Sequence, residues 1–385
     1  MTKPKLFRVS TVSISLDLLL RGQLRSLNQK FDVTAISTFD DILLKVSERE
    51  GVKVYGVFMK RNISLLIDIY SFFKLWVYFL IKRPLIVHSI TPKAGLLTML
   101  AGKLACVPIR MHTFTGLIFP TKVGVFKKLL IFTDKILCWA CTNVYAEGKG
   151  VKSDLEKYEI TKKEINIIGN GGINGIDCQF YNPALISENE KNELKSELGI
   201  EKEDFVFIFV GRLVSDKGIN ELILAFKELK NENVKLILVG AYEINLDPLN
   251  ADTFETINNN TKIITTGFQT DVRKYFAISN ALVLPSYREG FPNVVLQAAA
   301  MGIPSIVTDI NGSNEIIIND FNGIIIEKKS ISDLKEAMLS LINNREYCIY
   351  LGSNSRDLIS SQFNQLDVLR SLEKEYEILI NNSKN

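Results

Sequence analysis

Thirteen short apolar runs, rich in Val, Ile, Leu and Phe, punctuate this chain, and stretches of helical period separate many of them. In the first half the runs are 6–14, 32–37, 53–57, 85–90, 109–114, 143–146 and 165–168. In the second half they are 205–210, 236–239, 262–265, 281–284, 305–308 and 323–326. Short apolar runs without polar alternation suit strands covered on both faces, which is the pattern of parallel sheets. Parallel neighbours need crossover connections. Stretches 16–28, 93–105, 123–141, 219–229, 294–301 and 332–343 have the helical spacing to supply them. The alternation predicts the α/β class, with doubly wound parallel sheets. A length of 385 residues accommodates two such domains. The Gly- and Asn-dense segment 170–177, followed by Tyr181-Asn182-Pro183, reads as the connection between them. The expected division is 1–180, 181–365 and a terminal helix in 366–385.

Composition narrows the class. A hydrophobic fraction of 46% fits full cores and excludes a disordered chain. Five cysteines, an odd number without a disulfide-like framework, fit a reducing cytoplasm. No secretory signal is evident, because Arg8 and Asp17 interrupt the first apolar stretch. Cys138-Trp139-Ala140-Cys141 has CxxC spacing but lies late in an apolar helix, where core packing is the simpler reading. Only two histidines are present, with no acidic partner beside either, so no metal site is expected.

Charge is uneven. Residues 1–180 hold 26 Lys and Arg against 14 Asp and Glu, and residues 181–385 hold 20 against 29. A basic first half points to an anionic partner there, such as a phospholipid surface, a lipid diphosphate or a nucleic acid. The segment 63–81 is strongly apolar, but Asp68 and Lys74 would each cost about 2.5–3.5 kcal/mol at a bilayer centre. It is expected to be a buried or interfacial helix and not a span. Lys122, Lys127, Lys128 and Lys135 flank a second apolar helix, which suits contact with a membrane surface.

Two strand–turn–helix units carry candidate chemistry. After the run 205–210 comes Gly211-Arg212-Leu213-Val214-Ser215-Asp216-Lys217-Gly218. Arg212 offers a planar fork of donors to phosphate oxygens, and Lys217 a compact point charge. After the run 281–284 comes Arg288-Glu289-Gly290-Phe291-Pro292-Asn293-Val294, which opens a helix containing Gln297. Open α/β sheets bind ligands at the carboxyl ends of their strands. The first N–H groups of a helix are free to hold an anion. Glu289 can therefore accept hydrogen bonds from sugar hydroxyls while the N–H groups of Gly290, Phe291, Pro292-flanked Asn293 and Val294 take phosphate. A site of this design suits an activated sugar carrying a diphosphate.

These segments resemble the retaining glycosyltransferases of family 4, whose pattern is Gly-Arg-Leu-x-x-x-Lys-Gly followed some eighty residues on by Glu-Gly-Phe-x-x-x-x-x-Glu. In the first half, 18–27, Val87-His88-Ser89 with Thr91-Pro92-Lys93-Ala94-Gly95, and Thr113-Phe114-Thr115-Gly116-Leu117 look like the subgroup that builds bacterial surface polysaccharides. The resemblance implies a GT-B fold, two Rossmann-like domains facing a cleft, and no cofactor or metal. It implies a nucleotide-sugar donor in the second domain, with Arg212 and Lys217 neutralising the leaving diphosphate. Gly211 and Phe268 are expected to adjoin the donor, Phe268 near the base. The family's second Glu, which holds the ribose, is Gln297 here, and an amide can still donate and accept. Many relatives carry His where this chain has Thr115, which leaves His112 as the nearby candidate catalytic histidine. His88, Lys93, Thr115 and Gly116 are expected on the acceptor side.

The resulting expectation is a UDP-sugar-dependent transferase, of N-acetylhexosamine type, acting on a polyprenyl diphosphate-linked glycan at the inner face of the cell membrane. Capsule, O-antigen or exopolysaccharide would be the product. Two rivals stand beside it. A GT-B epimerase or hydrolase would want a protein acid or base, for which only His88 and His112 titrate near neutrality. A nucleic-acid binder would leave Arg212, Lys217 and Glu289 unexplained.

Overall fold

The computed structural model describes residues 3–243 and 247–383 and divides into two compact units, 1–175 with 365–385, and 176–364. The boundary falls where Ile176 N donates to Phe363 O at 2.8 Å, which closes the second unit on itself. The first unit holds β1 (Lys5–Val9), β2 (Asp32–Ser37), β3 (Lys53–Gly56), β4 (Ile86–Ser89), β5 (Ile109–Phe114), β6 (Asn143–Ala146) and β7 (Ile165–Asn166). All neighbours pair in parallel, in the order β3-β2-β1-β4-β5-β6-β7. The second unit holds β8 (Phe205–Val210), β9 (Val234–Val239), β10 (Ile263–Gly267), β11 (Ala281–Leu284), β12 (Ser305–Thr308) and β13 (Gly323–Ile326). Its parallel order is β10-β9-β8-β11-β12-β13. Both sheets are doubly wound, and each reverses direction once, between β1 and β4 and between β8 and β11.

The central strands read as apolar because both of their faces are covered. Phe205 to Phe209 are all buried, and Val210 alone reaches an intermediate exposure at the strand's carboxyl end. The final helix, Gln365–Asn382, packs in the first unit, where Tyr376 is fully buried against Phe31 and His88.

Two sequence expectations change, and a third resolves to one of its alternatives. The first apolar run does not stay extended to residue 14: the strand stops at Val9, and Ser13–Leu19 is helical. The helical stretch 16–28 is two helices, broken at Gly22, whose φ of 78° is open to glycine. Helix Leu65–Lys82 buries Ser71, Leu75 and Phe79, while Leu66, Tyr70, Phe73, Val77 and Ile81 point to solvent. Of the two expected placements, buried or interfacial, the segment takes the surface-lying one. No helix among the described residues is long and apolar enough to cross a membrane.

Candidate active site

β8 and β11 flank the reversal point of the second sheet, and both candidate turns leave their carboxyl ends there. Strand neighbours on either side of a reversal send their helices to opposite faces, which leaves a crevice between the turns. Lys217 and Glu289, 72 residues apart in sequence, meet in it with Nζ to Oε1 at 2.5 Å. Their side chains are 18% and 14% exposed, so both are largely removed from bulk water. Arg212 reaches Glu243 at 2.6 Å, and Arg288 reaches Asp216 at 2.9 Å. Three cations and their carboxylates thus gather around the mouths of two strands.

Close backbone approaches hold the turns together, and three glycines make these possible. A Cβ on Gly240 would sit 1.7 Å from Gly211 O; on Gly218, 2.1 Å from Pro285 O; on Gly312, 2.1 Å from Gly290 O. All three also have φ between 71° and 156°. The turns after β8, β9, β11 and β12 are therefore packed backbone against backbone, a spacing that no side chain permits. Helix Asn293–Ala300 has Pro292 at its N-cap with no side-chain cap hydrogen bond, and the first N–H groups of a helix have no intrahelical partner. Gln297 lies one turn into this helix and is partly exposed. Phe268 follows β10 and is 55% exposed, as an aromatic ring available for stacking would be.

The residues expected on the acceptor side fall in the first unit, and the structure treats them differently. His88 is 1% exposed and sits in a network with Arg8, Tyr376 and Thr113: Tyr376 Oη lies 2.7 Å from its Nδ1 and Thr113 Oγ1 2.8 Å from its Nε2. Burial, with the neighbouring Arg8 charge, holds its pKa well below the usual value. His112, also 1% exposed, has Nδ1 2.8 Å from Ser89 Oγ, and burial pulls its pKa down to about 3. Gly95 lies directly against its ring. Both histidines are buried and neutral, and His88 Nδ1, His88 Nε2 and His112 Nδ1 have protein partners. Lys93 is tied to Asp68 at 2.8 Å, and Thr115 Oγ1 donates to Ile90 O at 2.7 Å. Gly116 follows with φ 115°.

At the first sheet's own reversal point the structure brings Thr91, part of a quoted motif, together with Thr11, which the sequence reading did not single out. Thr11, after β1, and Thr91, after β4, place their hydroxyls 2.8 Å apart, and Thr11 N also donates to Thr91 Oγ1 at 2.8 Å. Cys138 and Cys141 are buried, and burial pushes the Cys138 thiol up to about 12, as expected for packing cysteines.

Two parallel doubly wound domains, one with this cation and carboxylate cluster at its strand reversal, are the setting in which the comparisons identify the family. Residues 190–358 match the family model "Glycosyl transferases group 1". The capsular polysaccharide biosynthesis glycosyltransferase CapM of Staphylococcus aureus is 31% identical over 388 residues, covering all of both chains. The chain belongs to the group 1 glycosyltransferases and is a glycosyltransferase. An Escherichia coli galactosyltransferase, named as acting from UDP-Gal on α-D-GlcNAc-diphosphoundecaprenol, is 28% identical over 88% of this chain and 86% of its own. Among solved structures, Anabaena HepE in complex with UDP-glucose superposes with a TM-score of 0.83 at 16% identity, over 97% of this chain and 99% of that one. The fold is GT-B.

Proposed function

We propose that this enzyme is a retaining, family 4 glycosyltransferase. It moves a sugar from a UDP-sugar, of N-acetylhexosamine type, to a polyprenyl diphosphate-linked glycan in the assembly of a surface polysaccharide. The observation that carries the reading is the meeting of Lys217 and Glu289 across the β8/β11 reversal, with Arg212 beside them. The name of the Escherichia coli relative supports a UDP-sugar donor and a polyprenyl diphosphate-linked acceptor.

Chemically, the acceptor hydroxyl attacks the anomeric carbon on the face from which the diphosphate leaves. The bond from the anomeric carbon to the phosphate oxygen breaks as the new glycosidic bond forms on that face. The hydroxyl proton passes to the departing phosphate, so the reaction needs no protein base, consistent with the burial of both histidines. Lys217 and Arg212 stabilise the negative charge that develops on the leaving diphosphate. Glu289 accepts from sugar hydroxyls, the N–H groups of Gly290, Phe291, Asn293 and Val294 share the phosphate, and Gln297 meets the ribose. A thermal-shift screen across uridine and guanosine diphosphate sugars tests the donor. Stabilisation should be about 2.7 kcal/mol at a hundredfold excess over Kd. Stabilisation by no nucleotide sugar would refute the reading.

The enzyme works, in this reading, on the inner face of the cytoplasmic membrane as a peripheral protein. Support comes from helix Leu65–Lys82, on which Leu66 is 84% and Ile81 69% exposed, with Lys74, Lys82 and Arg83 alongside. Val123 and Val125 at the start of helix Gly124–Ala140 are 85% and 83% exposed, among Lys122, Lys127 and Lys128. Contiguous exposed apolar surface of this extent with basic flanks fits insertion into an anionic lipid interface.

A further inference from the structure

Glu243 is the residue that the structure adds to the donor corner. It follows β9, the neighbour of β8, and its carboxylate reaches Arg212 Nη1 at 2.6 Å. The chain that carries it is stitched to the Arg212–Lys217 turn. Leu213 N donates to Ala241 O at 2.9 Å, and Leu213 and Tyr242 form a parallel bridge. Further on, Asp216 N donates to Asp247 Oδ2 at 2.7 Å, and Asn250 N to Asn220 Oδ1 at 3.1 Å. Backbone pairing thus brings Glu243 within reach of Arg212, whose side chain is 42% exposed.

The neighbouring cations are matched in the same way, Lys217 by Glu289 and Arg288 by Asp216. A diphosphate entering this corner adds negative charge next to a carboxylate that already holds the guanidinium. We infer that Glu243 is a positioning residue that competes with the nucleoside diphosphate for Arg212. It holds the guanidinium in place before the donor arrives, and it weakens the enzyme's grip on the nucleoside diphosphate left after transfer. The inference rests on the donor-site reading above.

The test is a double-mutant cycle read by calorimetric titration with UDP, GDP and ADP as probes, using whichever binds the wild-type enzyme tightest. Glu243→Gln removes the charge and keeps the shape. It should tighten the diphosphate by about tenfold, the effect of deleting one like charge a few ångströms away in a partly screened site. The donor KM should fall with it while kcat does not rise, because a tighter product complex does not speed chemistry. In an Arg212→Ala background the same substitution should change affinity less than twofold, since Glu243 acts through Arg212. Failure of Arg212→Ala to weaken the diphosphate, or binding of none of the probes by the wild type, overturns the donor-site reading itself. Weakening by Arg212→Ala without tightening by Glu243→Gln, or equal tightening in both backgrounds, overturns the competition alone. A Glu243→Gln enzyme that melts early at unchanged diphosphate affinity makes the pair structural and also overturns it.

Discussion

Gly312→Ala probes how the donor turns are built. Gly312 has φ 78°, and an added Cβ would sit 2.1 Å from Gly290 O and 2.8 Å from its carbonyl carbon. Ordinary contact begins near 3.4 Å, so one of the two turns must withdraw by about 1 Å. Gly290 follows Glu289 and leads into the amides assigned to the phosphate, so the withdrawal moves the groups that face the donor. A misplacement of about 1 Å costs about 10²-fold in rate, and kcat/KM should fall by that order. Gly302→Ala is the matched control: its φ is 77°, and a Cβ there meets nothing within 4 Å. Both variants bear the left-handed backbone cost of about 1–2 kcal/mol, or roughly 2–8 °C in Tm for a unit of this size. Only Gly312→Ala should lose activity. The assay is coupled nucleoside diphosphate release with saturating acceptor, alongside thermal melting. Wild-type kcat/KM in Gly312→Ala, with a Tm loss equal to that of Gly302→Ala, would refute the packing argument.

Other outcomes follow from named residues. Arg212→Ala and Lys217→Ala should each lower turnover by about 10²–10³, since each removes charge from beside the leaving diphosphate; full turnover at saturating donor contradicts the assignment. Gln297→Glu should keep donor affinity within about tenfold while Gln297→Ala is clearly worse, and equal affinity for Gln297→Ala and wild type would separate this position from the ribose. His112 is neutral in the fold and protonates only near pH 3, whereas an unfolded histidine protonates near 6.5. The unfolded chain therefore binds the extra proton between those values, and stability is lost as pH falls from about 6.5 towards 3. His112→Gln should make melting less acid-sensitive over that window, and an unchanged slope would contradict the burial account. Flotation with anionic vesicles should show binding that weakens but persists at high salt and is reduced by replacing Lys122, Lys127 and Lys128 with Glu. Equal binding by that variant, or none by the wild type, sinks the membrane reading.

The sequence made the strands legible because parallel strands buried on both faces cannot hide their composition. Each predicted run overlaps an observed strand, and β2, β5, β6, β8, β11, β12 and β13 match in both bounds. The Arg212–Lys217 and Glu289–Asn293 turns were legible for the same reason, since each sits directly after such a run. Helix Arg345–Gln362 was not legible. It packs through small residues: a Cβ on Gly352 would meet Gly302 O at 2.4 Å, and Ser355 Oγ donates to Asn322 O at 2.5 Å. Such contacts leave no apolar stripe to read. The Thr11–Thr91 pair was masked because the apolar pattern continues through Val12 and Ile14, although the strand ends at Val9. Glu243 lies in no motif, and only the adjacency of β9 and β8 brings it to Arg212. The packing of Tyr376 against His88 and of Gly95 against His112 was not legible either, because each neighbour comes from another element of the fold.

The most direct test of the central claim is product analysis by mass spectrometry and NMR. The purified enzyme is given a UDP-sugar with and without a polyprenyl diphosphate-linked glycan acceptor. The account predicts nucleoside diphosphate release that depends on the acceptor, an acceptor heavier by one sugar, and an anomeric configuration that matches the donor. Free sugar or an epimerised nucleotide without acceptor, or a product of inverted configuration, would contradict it.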